Sequence, residues 1–208
     1  LDTHFVAYLY RLRYIKRWSL MRNTTRENVA EHSYHVALLA HLLCEIGNRI
    51  FGRSLNADRA ATIALFHDAT EVFTGDIPTP VKHHNPRMLA NFRELEAMAG
   101  ERLMGMVPEP LKAAYDPLLR ELALHAPDAP PMDEAELELR RMVKAADLLD
   151  AYIKCLSELS SGNREFAVAK GQIEQSLDKL NMPETEWFLT HMASAFSKTL
   201  DELSEEEE

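Results

Sequence analysis

The sequence predicts an all-α fold in a single domain, and three observations carry that expectation. Apolar residues recur at helical spacing almost from end to end, while the alternation of a half-buried strand is hard to find. Only 7 glycines occur in 208 residues, so turn signals are sparse. No internal repeat and no linker divides the chain. The proline-rich stretch Ala126–Met132 is too short to separate domains.

The elements follow in order. Phe5, Leu9 and Leu12 predict an opening helix over Asp2–Arg13, with Thr3 as its cap. A second helix starts near Asn28, carries the stripe Val36, Leu39, Leu43 and Ile46, and ends near Gly47 and Gly52. Asn56-Ala57-Asp58 opens a third, which runs through Ala60, Ile63 and Ala64 to Glu71 or Val72. Gly75, Pro78 and Pro80 then stop the helix within Thr74–Pro80. Asn85-Pro86 starts the next, on Leu89, Phe92, Leu95 and Met98, towards Met106. A shorter helix is expected over Pro108–Leu124 and a long one over Asp133–Leu159. Two more follow, over Asn163–Lys179 and from Pro183 to about Leu203.

Bulk composition excludes several classes of function. A hydrophobic share of 46% and a charged share of 27% are those of an ordinary globular chain. No apolar run approaches the ~18 residues that a membrane span requires. Arg11, Arg13, Lys16 and Arg17 interrupt every apolar stretch near the N-terminus, so no secretory leader is expected. Two cysteines, Cys44 and Cys155, argue against a disulfide framework and for a reducing cytoplasm. The net charge of −10 argues against a nucleic-acid polymer as partner. An anionic ligand must then be small and met by a local cation or a metal. The acidic residues 201–208 are expected to form a solvated, frayed tail.

The chemistry centres on His67-Asp68. Adjacent helical residues diverge by about 100°, so two ligands can approach one ion from different angles. Imidazole with carboxylate suits a borderline divalent ion such as Mn, Fe, Co, Ni or Zn. Glu71 lies four residues after His67, on the same helical face, where a carboxylate can do general acid or base work. His32 and Asp147 stand on other helices, each among alanines and leucines. A buried aspartate flanked by Ala145, Ala146, Leu148 and Leu149 needs a partner. Taken singly, these residues leave other readings open. His32 could be a core histidine satisfied by Glu31 or Ser33. Asp147 could pair with Lys144, and Asp150 is an equally acidic neighbour. Glu71 could be a surface residue, and Arg17-Trp18 a packing or cation–π pair.

The ordered set His32, His67-Asp68, Asp147 matches the H…HD…D signature of the HD superfamily. Longer segments resemble one branch of it, the 5'-deoxynucleotidases. These are Arg17–Asn23, Glu27–Ser33, His67–Val72, Thr74–Lys82, and Lys144–Asp147 with Tyr152–Leu156 after it. The resemblance runs from about residue 4 to 202 and implies a single-domain helical HD bundle spanning 1–208. It implies metal-dependent hydrolysis of deoxyribonucleoside 5'-monophosphates to deoxyribonucleosides and phosphate, by a metal-activated water. His32, His67, Asp68 and Asp147 would hold one divalent transition metal, with Co, Mn, Zn, Fe, Ni and Cu all compatible. Glu71 would act as general acid/base, with Asp76 assisting. Arg17 would meet the phosphate through its planar fork, Trp18 would wall the sugar pocket, and Lys82 would be a further phosphate contact. A homodimer is expected on the same resemblance.

Some features stand apart from that pattern. His35 lies one turn after His32 and could compete as a ligand, although His32 holds the family's Glu-His-Ser slot. His83-His84 on the proline loop are expected to be solvated, and His4, His41, His125 and His191 structural or exposed. The stretch Ala126–Met132 is longer than the family leads one to expect. Two alternatives remain: an HD phosphohydrolase acting on another small phosphorylated substrate, or a catalytically silent HD-fold binding module. Other HD chemistries fit less well: a dinuclear HD oxygenase would need extra histidines in a helical ligand pattern, which His83, His84 and His125 do not form, and a cyclic-dinucleotide phosphodiesterase would need a Gly-Tyr-Pro element after His67-Asp68.

Overall fold

A computed structural model of the chain describes residues 2–119 and 133–205. Among these residues the chain is helical, with no named strand and one isolated antiparallel bridge between Lys16 and Asn28. The all-α expectation holds. Two compact units interleave along the sequence. The first comprises Leu1–Met21, Arg26–Tyr34 and Thr62–Asp133; the second comprises Arg22–Thr25, His35–Ala61 and Glu134–Glu208. The Ala126–Met132 stretch and His125 lie outside the described residues.

In the first unit α1 spans Phe5–Tyr10 and passes into a 3-10 turn at Arg11–Tyr14, so the opening helix is shorter than its periodicity predicts. His4 takes the N-cap place, and Thr3 contributes by accepting from the Phe5 amide at 3.4 Å. Its hydroxyl donates to the carbonyl of Met106, tying the chain start to α6, Pro86–Met106. Asn85 caps α6 as expected, accepting from the Met88 amide at 2.9 Å, with Pro86 in the first turn where its missing N–H costs nothing. Phe5, Ala69, Leu103, Val107 and Leu119 form the buried core, the last from α7, Lys112–Leu119. Tyr115 closes it edge-on to Phe5 at 4.9 Å. Burying its phenylalanine, leucine and valine side chains contributes about 1.5–3 kcal/mol each.

The second unit takes residues 35 to 50 of α2, the helix Val29–Ile50, and the start of α3, Ala57–Phe66. To these it adds α8, Glu134–Ser160, and α9, Ala167–Leu180. Gly47 does not end α2. A Cβ there would stand 3.1 Å from both Glu184 Oε1 and Leu55 Cδ1, so this glycine permits close packing. α2 ends at Ile50, between Gly47 and Gly52 as expected, and the φ of +67° at Gly52 suits a residue just past a helix end. The expected last helix is three pieces: α10 at Pro183–His191, a 3-10 turn at Ala193–Ser197, and α11 at Leu200–Ser204. A capping box between Thr199 and Glu202 starts α11, and residues 206–208 of the acidic tail lie outside the described residues. No helix among the described residues is long and apolar enough to cross a membrane.

Buried charge organises one corner of this unit. Glu158, 2% exposed, accepts from the amides of Thr24 at 2.9 Å and Thr25 at 3.1 Å, and from Asn163 at 2.8 Å. Lys154 pairs with it and also donates to the Thr25 carbonyl. Burial alone would raise the Glu158 carboxyl, but Lys154, Asn163 and the two amides hold it down at about 2. A folded-state value below the ordinary 4.5 stabilises the protein fully above 4.5, and that contribution is lost as the pH falls towards 2. Lys154→Met, which strands the buried carboxylate, is expected to cost about 3–5 kcal/mol. Its acid-unfolding midpoint should shift upward in urea titrations at stepped pH. An unchanged midpoint would show that the cluster contributes nothing.

Candidate metal centre

The centre lies in the first unit and is built from three short segments. The bridge at Lys16 and Asn28 brings two of them together: the Arg17 amide donates to the Glu27 carbonyl at 3.0 Å, and the Val29 amide to the Ile15 carbonyl at 3.0 Å. Asn28 then starts α2. Its side chain accepts from the Glu31 amide at 3.0 Å while Glu31 reaches back to the Asn28 amide at 3.3 Å, a reciprocal cap. One turn in, His32 is fully buried.

The third segment corrects an expectation. His67 and Asp68 do not continue α3, which ends at Phe66. They lie in a tight turn before α4, Glu71–Thr74. The amides of His67, Ala69, Glu71 and Val72 each bond a carbonyl three residues back rather than four, at 3.0–3.4 Å. The His67 ring folds back over the turn, with Nδ1 at 2.6 Å from the Ala64 carbonyl. No glycine or proline marks the break, so periodicity carries the helix through it.

This turn brings His32, His67 and Asp68 together, with one ligand atom of each within 4.8 Å of the others. Asp68 Oδ2 is 3.2 Å from His67 Nε2, 3.4 Å from His32 Nε2 and 3.8 Å from Arg17 Nη1. Burial alone would raise the Asp68 carboxyl, but the positive charge that the two imidazoles carry in their protonated form pulls it well below the usual carboxylate range, and a shared cation would supply the same pull to neutral rings. A carbonyl only accepts, so Nδ1 of His67 is assigned the proton that reaches Ala64. In the neutral ring Nε2 is then a lone pair. It is buried without a hydrogen-bond partner and faces a carboxylate oxygen. Two acceptors at that separation fit a shared cation, and two imidazoles with a carboxylate form a donor set for a borderline divalent metal.

Acid–base groups surround the three. Glu71, 6% exposed, begins α4, and its Oε2 is buried with no hydrogen-bond partner. Burial, then the charges of Asp68 and Asp76, push its carboxyl up to about 9 against the opposing pull of Lys82 and Arg17. Gly75, at φ +73°, closes α4 and delivers Asp76. Beyond it the proline stretch forms one more helical turn, α5 at Thr79–Lys82, because Pro80 sits in its first turn. Lys82 pairs with Glu96 at 3.2 Å and lies 4.0 Å from Glu71. Burial works against its charge, but Glu96 and Glu71 hold its ammonium above the usual range.

Arg17 is 11% exposed, with Nε 2.6 Å from Glu27 Oε1. Trp18 follows at φ +56°, a left-handed conformation that costs a non-glycine residue about 1–3 kcal/mol and concentrates at functional sites. The turn to Met21, whose amide reaches the Trp18 carbonyl at 3.0 Å, fixes it.

Asp147 belongs to the second unit, on α8, where it pairs with Lys144 at 2.8 Å. His35, also in that unit, lies 3.5 Å from the buried Asp150, which agrees with a packing role. His83 and His84 are exposed, as expected. Glu27 is the residue that sequence reasoning passed over. It sits inside a recognised segment, but nothing in its spacing marks it.

The profile described as 5'-deoxynucleotidase YfbR-like matches residues 4–196. A 5'-deoxynucleotidase of Vibrio parahaemolyticus is 43% identical over 203 residues, covering 98% of this chain and 99% of its own. Among solved structures, an HD-domain phosphohydrolase of Listeria innocua superposes with a TM-score of 0.74 at 23% identity, over 93% of this chain and 88% of that one. A cyanophage S-2L HD phosphohydrolase, bound to dA and one catalytic Zn2+ ion, superposes with a TM-score of 0.60 at 22% identity, over 93% and 96%. The fold is that of the HD phosphohydrolases.

Proposed function

The chain belongs to the YfbR-like 5'-deoxynucleotidase family, and on that premise we propose how its residues hydrolyse a deoxyribonucleoside 5'-monophosphate. As a member it is a phosphohydrolase. The observation that carries the mechanism is the partnerless Nε2 of His67 facing Asp68 beside His32. His32, His67 and Asp68 are assigned to one divalent ion, with Asp147 as the fourth ligand on the strength of its place in the signature. The zinc in the cyanophage enzyme is consistent with this set. When bound, such an ion polarises phosphoryl oxygens, acidifies water and offsets the Asp68 charge that helps to hold a proton on Glu71.

The chain's own groups supply the rest. Arg17 binds the phosphate, its guanidinium gathering charge that grows as the P–O bond breaks. Glu71 gives its proton to the leaving 5'-oxygen and, once ionised, takes one from the water that attacks phosphorus. Phosphate and deoxynucleoside leave and Glu71 ends protonated, so the balance closes. Asp76 positions that water and adds charge beside Glu71. Trp18, locked by its backbone, walls the sugar so that a 2'-hydroxyl does not fit. Lys82 reaches phosphate only by leaving Glu96, and its present place supports a role as charge partner of Glu71.

Metal removal tests the ion assignment. Phosphate release is expected to stop in chelator and to return with a single added divalent ion. Asp147→Asn is expected to weaken that ion's binding by about 10–100-fold or more. Binding equal to the parent's would remove Asp147 from the ligand set.

A homodimer and a single domain over 1–208 are proposed on family resemblance, and a monomer in sedimentation would contradict the first. A cytoplasmic location is proposed from the two cysteines, both free and buried.

A further inference from the structure

We infer that Glu27 is a positioning residue that sets the phosphate-binding arginine and a metal-ligating histidine with a single carboxylate. The inference rests on the roles proposed above for Arg17 and His32. One oxygen, Oε1, stands 2.6 Å from Arg17 Nε and 3.8 Å from His32 Nδ1. The far nitrogen of that same imidazole, Nε2, lies 3.4 Å from Asp68. Glu27 therefore sits behind His32, on the ring edge opposite the candidate ion, where at 3.8 Å its charge, without a direct hydrogen bond, favours this ring direction and raises ligand basicity.

The hold on Arg17 is double. Its amide donates to the Glu27 carbonyl at 3.0 Å, and its Nε donates to the Glu27 carboxylate. Engaging Nε fixes the plane of the guanidinium, and with it the direction of Nη1, which stands 3.8 Å from Asp68 Oδ2. Both side chains are nearly buried, at 11% and 13% exposure, so the pair is sheltered from screening and from rotamer exchange. An arginine beside a divalent ion is also a like-charge contact. The Glu27 carboxylate offsets that repulsion where both cations are assigned to gather. Sequence spacing cannot reveal this, because Glu27 precedes α2 and meets Arg17 only through the isolated bridge.

The test separates orientation from charge, with dAMP as substrate and Co2+ titrated calorimetrically into metal-free protein. Glu27→Ala is expected to raise KM by about 10–100-fold, with a smaller fall in kcat, and to weaken Co2+ binding by about 10–100-fold. In Glu27→Gln the amide oxygen still accepts from Arg17 Nε, so KM should recover to within ~3-fold of the parent while Co2+ binding stays weakened. Arg17→Ala and Arg17→Ala/Glu27→Ala should share one KM, because the carboxylate acts on phosphate through the arginine. Unchanged KM and Co2+ affinity in Glu27→Ala, equal KM loss in the two Glu27 variants, or additive loss in the double variant would each overturn the inference. Should Glu27→Ala fail to fold, Glu27→Gln decides alone: parent-like Co2+ affinity or an alanine-scale KM defect overturns it. A parent that releases no phosphate with any ion would instead count against the proposed function. The Co2+ titration would still read Glu27.

Discussion

A His67→Ala protein is expected to keep its fold, lose its divalent ion and release phosphate about 10³-fold or more slowly than the parent. The turn should survive the change. The Ala64 carbonyl keeps the His67 backbone amide at 3.3 Å, and the core around Phe5, Ala69, Leu103, Val107 and Leu119 does not use the ring. Asp68 loses its largest favourable neighbour, so its carboxyl should rise towards the usual range. The clearest readout is thermal. An ion that binds only the folded state at 1,000 times its Kd adds about 4 kcal/mol, a rise of roughly 10 °C in Tm for a chain of this size. The parent should show that rise and His67→Ala should not. Undiminished activity in the variant would sink the metal assignment.

Glu71→Gln is expected to lower kcat by about 10²–10⁴-fold with the metal still bound and KM little changed. The same variant should be more stable than the parent in chelator at neutral pH. The sign follows from burial. A carboxyl raised from 4.5 to about 9 binds a proton more tightly folded than unfolded, so its favourable contribution is complete below 4.5 and is lost as the pH climbs to 9. At neutral pH the parent has already lost part of it, on the order of a few kcal/mol. Glutamine cannot ionise, so the variant's stability should stay flat across that window. Poor stability paid at a catalytic carboxyl is a common trade against activity. A variant with parental kcat would remove Glu71 from the chemistry. One whose stability falls with pH as the parent's does would place the strain elsewhere.

Much of the candidate site was legible as order along the chain. His32, His67 and Asp68 do converge, and α2, α6 and α8 begin within a residue or two of their expected starts. What spacing missed was the break after Phe66. Ala64 to Glu71 contains nothing that resists a helix, and the turn exists because backbone amides bond carbonyls three residues back while Ala69 joins a core completed by distant Phe5 and Leu119. Gly47 stays inside α2 for a related reason, since its close neighbour Glu184 comes from far along the chain. In each case a long-range contact outweighed a local pattern.

The most direct measurement is phosphate release from matched deoxyribo- and ribonucleoside 5'-monophosphates, with one divalent ion and then with chelator. Release from the deoxynucleotides alone, only with the ion present, is the predicted result, and Trp18→Ala should then admit the ribonucleotides. Equal release from both sugars would contradict the selectivity assigned to Trp18. No release with any divalent ion would contradict the metal-dependent nucleotidase itself and leave the helical fold as a binding module.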